Sequence, residues 1–447
     1  MKSRCARGRA AAALLLVIAV HVAAGAARAE VATQAPAGSA AQARGGPRRA
    51  WPNPASSANS DAWLAKHHAQ IASLEPRVLA LNFVNARSNE QMLLHLGQLV
   101  SALREASRYQ GYLEPQAPPM LNYSVYKAVD LRDAAPAPDY PYRNSTLYPR
   151  DNPLRGAWGF DYGQLFSQEF ARLYGIPAKD GHAMDLCELV NEGIVHEVWV
   201  YGDADVPGEV NAAEILEMKR VYDAERRLLP GAPAFDFCAG NGCFDPDDRE
   251  VLPGHCVRSL RIMWINQSRG IGCAMENIGH GLEQTGLRGV IPYLSAYFRS
   301  FADLNLNTRY GTPFESWYAC GAGTECVTFT SESSVTYDTG FLQGAIPDYV
   351  PACGNVHFPP NGRRHYDLES PYTALSTCEH FRFGDGALGA DQAVPFATSK
   401  FSDYSAIAGD CMGPWLVFWM QSIPGFANRS RDLDGQPMLA WWPFLFY

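Results

Sequence analysis

The sequence predicts an α/β protein, with a mainly parallel sheet, helices on both faces and a loop-rich, disulfide-pinned C-terminal part. Three observations carry this expectation. Short apolar runs of strand length recur through the first 290 residues, and amphipathic helical segments separate them. From about residue 305 that periodicity fades and Gly, Pro, Cys and aromatic residues take over. Continuous apolar strands alternating with helices are the pattern of a sheet covered on both sides.

The N-terminus reads as a processing signal over residues 1–29. Lys2, Arg4, Arg7 and Arg9 precede the apolar run AAAALLLVIAV, and Ala27-Arg28-Ala29 offers a small-residue cleavage site. Residues 30–60, rich in Ala, Gly, Pro and Ser, are expected to form a flexible linker, because they offer little apolar surface to offset the entropy of ordering. A single α/β domain is expected over 61–447. RVLALNFV (77–84) is strand-like and leads to a helix that opens on a capping-box pattern, Ser88 with Gln91. MLNYSVYKAV (120–129) reads as the next strand. Two helices follow, one opened by Asp161 with Gln164, the other HAMDLCELVNEG ending at Gly193. IVHEVWVYG (194–202) and RSLRIMWIN (258–266) are the clearest buried strands, and AAEILEMKRVYDAERR (212–227) between them reads as helix. GIGCAMENIGHGLEQTG (270–286) follows the last strand as a helix.

Charge and cysteine content narrow the partners. A net charge of -9 argues against a nucleic-acid backbone, which needs a basic face. After the signal, no run approaches the ~18 apolar residues a membrane span requires. Removing Cys5 with the signal leaves ten cysteines, an even number that reads as disulfides in an exported chain. Cys238/Cys243 and Cys320/Cys326 are each close enough to close a small loop. Secretion or periplasmic export follows as the expectation.

The strongest chemical spacing is in the last helix. Glu276, His280 and Glu283 fall at i, i+4 and i+7, so they share one helical face. A helical rise of about 1.5 Å per residue places the two carboxylates too far apart for one ion on a straight helix. His280 would therefore work with Glu276 or with Glu283, and a further ligand must come from afar. His357, in the stiff loop GNVHFPPNGRRHYD (354–367), is the best candidate, with zinc the expected ion. A solvated amphipathic face, with Ile278, Leu282 and Met275 as its apolar stripe, is the competing reading. Glu197, in a buried strand, is costly unless paired or functional; Arg258 or Arg261 would be its structural partner. Ligands of open α/β sheets bind beyond the carboxyl ends of the strands, which points to Asp203 and to Arg269 in NQSRGIG as substrate contacts. The glycine-rich turn there also has the form of an anion cradle. DFCAGNGCFDPDDRE (236–250) packs acids beside cysteines without matching a calcium loop. Neither a G-x-S-x-G elbow nor an H-E-x-x-H pair occurs.

VHEVWVYGD, RGIGCAMENIGHGLE, CGNVHFPPN and the Trp-rich carboxyl end together resemble a group of exported, mostly bacterial proteins over roughly residues 75–447. Some members of that group are joined to carbohydrate-binding modules. The resemblance implies extracellular work, with polysaccharide as the expected substrate class, and assigns no reaction. Three functions remain open at this point. One is a divalent-metal hydrolase acting on an extracellular polymer or peptide, with Glu197 as base or substrate contact. Another is a metal-free glycoside-active enzyme using Glu197 and Glu276. The third is a non-catalytic carbohydrate-binding module that docks sugar on exposed aromatics.

Overall fold

A computed structural model of the chain describes residues 47–132, 160, 162–205, 212–229, 235–240, 253–383 and 391–447. Two short strands, β1 (Arg49–Trp51) and β2 (Ile71–Leu74), pair in parallel, with helix α1 (Ala62–His67) between them. The described part of the Ala/Gly/Pro/Ser stretch, residues 47–60, thus packs on the fold. Trp51 is fully buried, and the buried Asn59 side chain donates to the carbonyls of His196 and Ser259.

The main sheet has six strands: β3 (Arg77–Asn82), β4 (Ser124–Asp130), β5 (Glu197–Gly202), β6 (Ile215–Lys219), β7 (Phe235–Ala239) and β8 (Leu260–Asn266). Their spatial order is β4-β3-β5-β8-β6-β7. The first four run parallel; β6 is antiparallel to both β8 and β7, so the sheet is mixed. β6 corrects the expected helix at 212–227. ILEMK is built of good helix formers, but it lies between two strands and is buried along its whole length, so tertiary pairing overrides its propensity.

Alternation divides the strands between two cores. Val78, Ala80, Trp199, Tyr201, Met263 and Ile265 face one core with the helices α2 (Asn89–Ala106), α5 (Ile271–Leu287), α6 (Pro292–Phe301) and α8 (Gly413–Ser422). Leu79, Leu81, Val198, Val200 and Ile262 face the other, with α3 (Gln168–Tyr174) and α4 (Leu186–Asn191). Ser88 and Gln91 form the expected capping box of α2. Asp161, expected to cap a helix, lies outside the described residues; α3 is capped by Ser167, and α4 by the Asp185–Glu188 box.

The C-terminal part is more regular than its composition suggests. After α7 (Leu306–Tyr310), an antiparallel meander of β9 (Val327–Ser331), β10 (Ser334–Asp338) and β11 (Gln343–Ile346) closes a third core around Trp317, Phe329 and Tyr349. The short β12 (Ala374–Ser376) and β13 (Val394–Phe396) form a further ladder. Helix α8 is buried on every side and packs against α2 and α5. Disulfides join Cys187–Cys256, Cys273–Cys411, Cys320–Cys326 and Cys353–Cys378. Cys243, the expected partner of Cys238, lies outside the described residues. Among the described residues no helix is long and apolar enough to cross a membrane.

Candidate metal centre

Helix α5 departs from an amphipathic surface helix. Met275, Ile278 and Leu282 form the expected apolar stripe, yet Glu276, His280 and Glu283 are buried as well, at 4%, 8% and 3% exposure. Their face is covered by the loop 353–367 instead of by water. Gly279 makes that approach possible: a Cβ there would lie 2.7 Å from Cγ2 of Val356. The loop is fixed from several sides. Asp303 accepts from the amides of Ala352 and Gly354, Cys353 is bonded to Cys378, and the indoles of Trp415 and Trp419 donate to the carbonyls of Asn355 and Gly354. Gly354 holds a φ of 59°, where a Cβ would meet the Phe358 carbonyl, so the turn needs glycine. The Asn355 carboxamide then accepts from the amides of both His357 and Phe358, which sets the backbone at His357.

His357 is thereby delivered to α5. Its Nε2 lies 2.8 Å from Oε1 of Glu276, and Nε2 of His280 lies 3.7 Å from the same oxygen. One donor atom from each of Glu276, His280 and His357 falls within 4.8 Å of the others. Tetrahedral coordination at bonds of about 2.1 Å sets ligand atoms about 3.4 Å apart, so this spacing suits one ion. Two imidazoles and a carboxylate are also a donor set that catalytic zinc sites use, with one position left for solvent or substrate. Among the described residues, the two other clusters of this type both contain disulfide-bonded cysteines, Cys187 in one and Cys273 with Cys411 in the other. They offer no thiolate.

The outer contacts orient the two imidazoles in the manner of metal ligands. Nδ1 of His280 is 3.0 Å from Oε2 of Glu283. That carboxylate accepts in turn from the Tyr318 hydroxyl at 3.0 and 3.1 Å and from the Val356 amide. Nδ1 of His357 is 3.1 Å from Nδ1 of His365, whose Nε2 is 2.9 Å from the carbonyl of Cys320. A carbonyl only accepts, so His365 carries its proton on Nε2. Its Nδ1 then accepts from Nδ1–H of His357, which leaves Nε2 of His357 directed at Glu276. The Tyr366 hydroxyl completes the cluster, 2.5 Å from Oε1 of Glu276 and 3.0 Å from Nε2 of His357.

Charge is strongly held here. Burial pushes the Glu276 carboxyl up, but the imidazoles of His280 and His357 outweigh it and bring the group down to about 2. Burial works against the His280 imidazolium, yet Glu276 and Glu283 raise it to about 10. His365 is lowered, by burial first and then by His357. The Tyr318 and Tyr366 hydroxyls are pushed up by burial and by Glu283 and Glu276 respectively. A cavity of about 270 Å³ opens beside the cluster, lined by His280, Glu283, Tyr318, Leu287, Leu304 and Glu315.

The structure therefore gathers four expected residues, Glu276, His280, Glu283 and His357. Glu283 sits behind His280 and Glu276 in front of it. Tyr366, Tyr318 and His365 join them without having been singled out by sequence; the only advance sign was a second histidine in the His357 loop. The other candidates lie elsewhere. Glu197 is buried on the sheet, where its carboxylate accepts from Tyr123, the Trp199 indole and Arg261. Arg261 also binds Glu217, which lies 3.6 Å from the ammonium of Lys219. His196 accepts the Arg77 amide on Nδ1 and reaches the Ser57 carbonyl through Nε2. Asp203 is buried beneath the β8–α5 turn and accepts from the Ser268 hydroxyl and the Gln267 carboxamide. Arg269 is exposed on that turn. The anion cradle exists, and the chain itself fills it: the Asp410 carboxylate accepts from the amides of Gly270 and Gly272 at 2.7 and 2.8 Å.

A mixed six-stranded α/β sheet with a His/His/Glu cluster held between a flanking helix and a C-terminal loop is the class that fold and site define. No protein-family model matches the chain, and neither a curated protein nor a solved structure shows significant similarity to it.

Proposed function

We propose that the protein is an exported hydrolytic enzyme with a divalent metal centre, zinc by preference, at Glu276, His280 and His357. The substrate would be an extracellular polymer or peptide. The carrying observation is the convergence of Nε2 of His357, Nε2 of His280 and Oε1 of Glu276, with both opposite ring nitrogens engaged. Four disulfides among the described residues support passage through an oxidising compartment. A bound divalent ion would supply Lewis acidity and lower the pKa of a bound water.

The protein groups have separate tasks in this reading. Glu283, fixed by Tyr318 and the Val356 amide, holds the His280 ring in orientation. His365 does the same for His357. Tyr366 is the outermost member, 40% exposed, and its hydroxyl is the donor nearest the centre for charge developing on a scissile carbonyl. Glu197 takes no part, since its carboxylate is engaged by Arg261 on the sheet.

The test is metal analysis of protein exported through an oxidising compartment, beside His280→Ala and His357→Ala. One zinc per chain, lost in both variants, is the expected result, followed by turnover on a peptide, amide or ester panel that chelation abolishes. If the wild type takes up no ion even when titrated with zinc, the metal reading falls. The Glu276–Tyr366 pair would then be examined as metal-free acid–base machinery.

A further inference from the structure

A second recess lies where the sheet changes direction of winding. The connection leaving β3 runs through α2 to β4 on one side, while the chain after β5 goes on to β6 on the other. Neighbouring strands whose connections part in this way open a crevice at their carboxyl ends, the usual place for a ligand in such sheets. Here the crevice encloses about 340 Å³ and is lined by Arg87, Arg269, His95, Gln91, Gln267 and Tyr201 among others, with no acidic side chain among its described lining residues.

The recess is built on buried polar supports. Asn82, fully buried at the end of β3, donates to the Arg87 carbonyl at 2.9 Å and to Asn89, which fixes the turn that presents Arg87. Asp203, 1% exposed, holds Gln267 and Ser268 from below. Gln267 in turn accepts from Nε of Arg87 at 2.7 Å, and the Tyr201 hydroxyl lies 3.0 Å from Nδ1 of His95. The amides at the start of α5 are already taken by Asp410, so recognition falls to side chains. Asp205 stands at the rim, 3.9 Å from Nε of Arg269 and exposed.

We propose that this crevice binds an oxyanion, a carboxylate or phosphate group carried by the substrate of the Glu276/His280/His357 centre. Two guanidinium groups with several amide donors and no carboxylate among the described lining residues form a local exception in a chain of net charge -9. Arg269 joins the two places through the chain, because it lines the crevice and directly precedes Gly270, the N-cap of the helix that carries Glu276 and His280. The assignment of the ligand as substrate rests on the proposed metal centre; the crevice as an oxyanion site does not.

The experiment is calorimetric titration of the exported full-length protein with D-glucuronate, with inorganic phosphate and with D-glucose as the uncharged control. Saturable binding of glucuronate or phosphate, absent for glucose, is expected, and the stronger of the two names the chemistry. Arg87→Gln with Arg269→Gln should weaken it at least tenfold, while His280→Ala changes it less than twofold. No saturable binding of either anion, or unchanged affinity in the double arginine variant, overturns the proposal. Zinc uptake without anion binding removes the crevice alone. Anion binding in a protein that takes up no zinc keeps the crevice and removes its link to the centre.

Discussion

Two buried clusters of ionisable groups lie on opposite sides of α5's contact with the rest of the fold, and they are put together differently. On the sheet, Glu197, Glu217, Arg261 and Lys219 alternate carboxylate with cation; all are essentially inaccessible. On the loop side, Glu276, His280, Glu283 and His357 pair carboxylates with imidazoles, and a cavity opens beside them. Guanidinium cannot be deprotonated, so Arg261 keeps a fixed positive charge between Glu197 and Glu217, even though burial brings Lys219 down to about 8, and the first cluster serves the fold. Imidazole can surrender a proton to become a ligand, so the second can exchange protons for a metal. Burial of charge alone marks neither function nor structure; the identity of the cation does.

The comparison breaks most visibly at Arg261. Arg261→Ala leaves Glu197 buried without its cation and Glu217 with Lys219 alone, and denaturant unfolding should show a loss of about 3–5 kcal/mol. A loss under 1 kcal/mol would show the sheet cluster to be dispensable. Glu283→Gln should leave the fold intact and weaken zinc binding about 10- to 100-fold, as removal of an orienting partner does; unchanged affinity would place Glu283 outside the centre. Gly279→Ala touches no ligand but drives a methyl into Val356, so about 1–3 kcal/mol of stability and part of the zinc affinity should go together. If affinity holds while stability falls, the loop is not what sets the site.

The pH dependence sharpens the contrast. In the ion-free protein Glu276 is held down to about 2 from an ordinary 4.5, so its stabilisation is full above about 4.5 and is lost as pH falls toward 2. His280 is raised to about 10 from 6.5, so its share is full below about 6.5 and is lost as pH rises through 10. Ion-free protein should therefore lose thermal stability above pH 6.5. Zinc, which must displace the His280 proton, should bind up to about tenfold tighter per pH unit over the same range. Melting curves with and without zinc that run parallel from pH 6.5 to 9 would exclude His280 as a ligand.

Much of this was legible in the sequence, and for identifiable reasons. The Ser88–Gln91 cap and the apolar runs of β3, β5 and β8 are local signals, and the structure keeps them. The i, i+4, i+7 spacing placed Glu276, His280 and Glu283 on one face, and a stiff loop singled out His357. What spacing cannot convey is which group stands across a gap. Tyr366 and Tyr318 reach the cluster from turns without periodicity, and Asp410 meets the Gly270 turn across 140 residues of chain. ILEMK reads as helix because its partners, β7 and β8, lie later in the chain. Glu197 drew attention by its cost in a buried strand, and Arg261, paired opposite it in β8, supplies the compensation.

The disulfides tie the centre to its own biosynthesis. Cys273 precedes Glu276 by one turn of α5, Cys353 opens the His357 loop, and the carbonyl of Cys320 receives the proton of His365. The start of α5, the start of the His357 loop and the turn that carries Tyr318 are thus each stapled, whereas the parallel strands hold one another through their own ladder. A chain made in a reducing host would be expected to keep its sheet and lose the alignment of its imidazoles. For the proposed metal centre, competence would be conferred at the moment of oxidation rather than of synthesis.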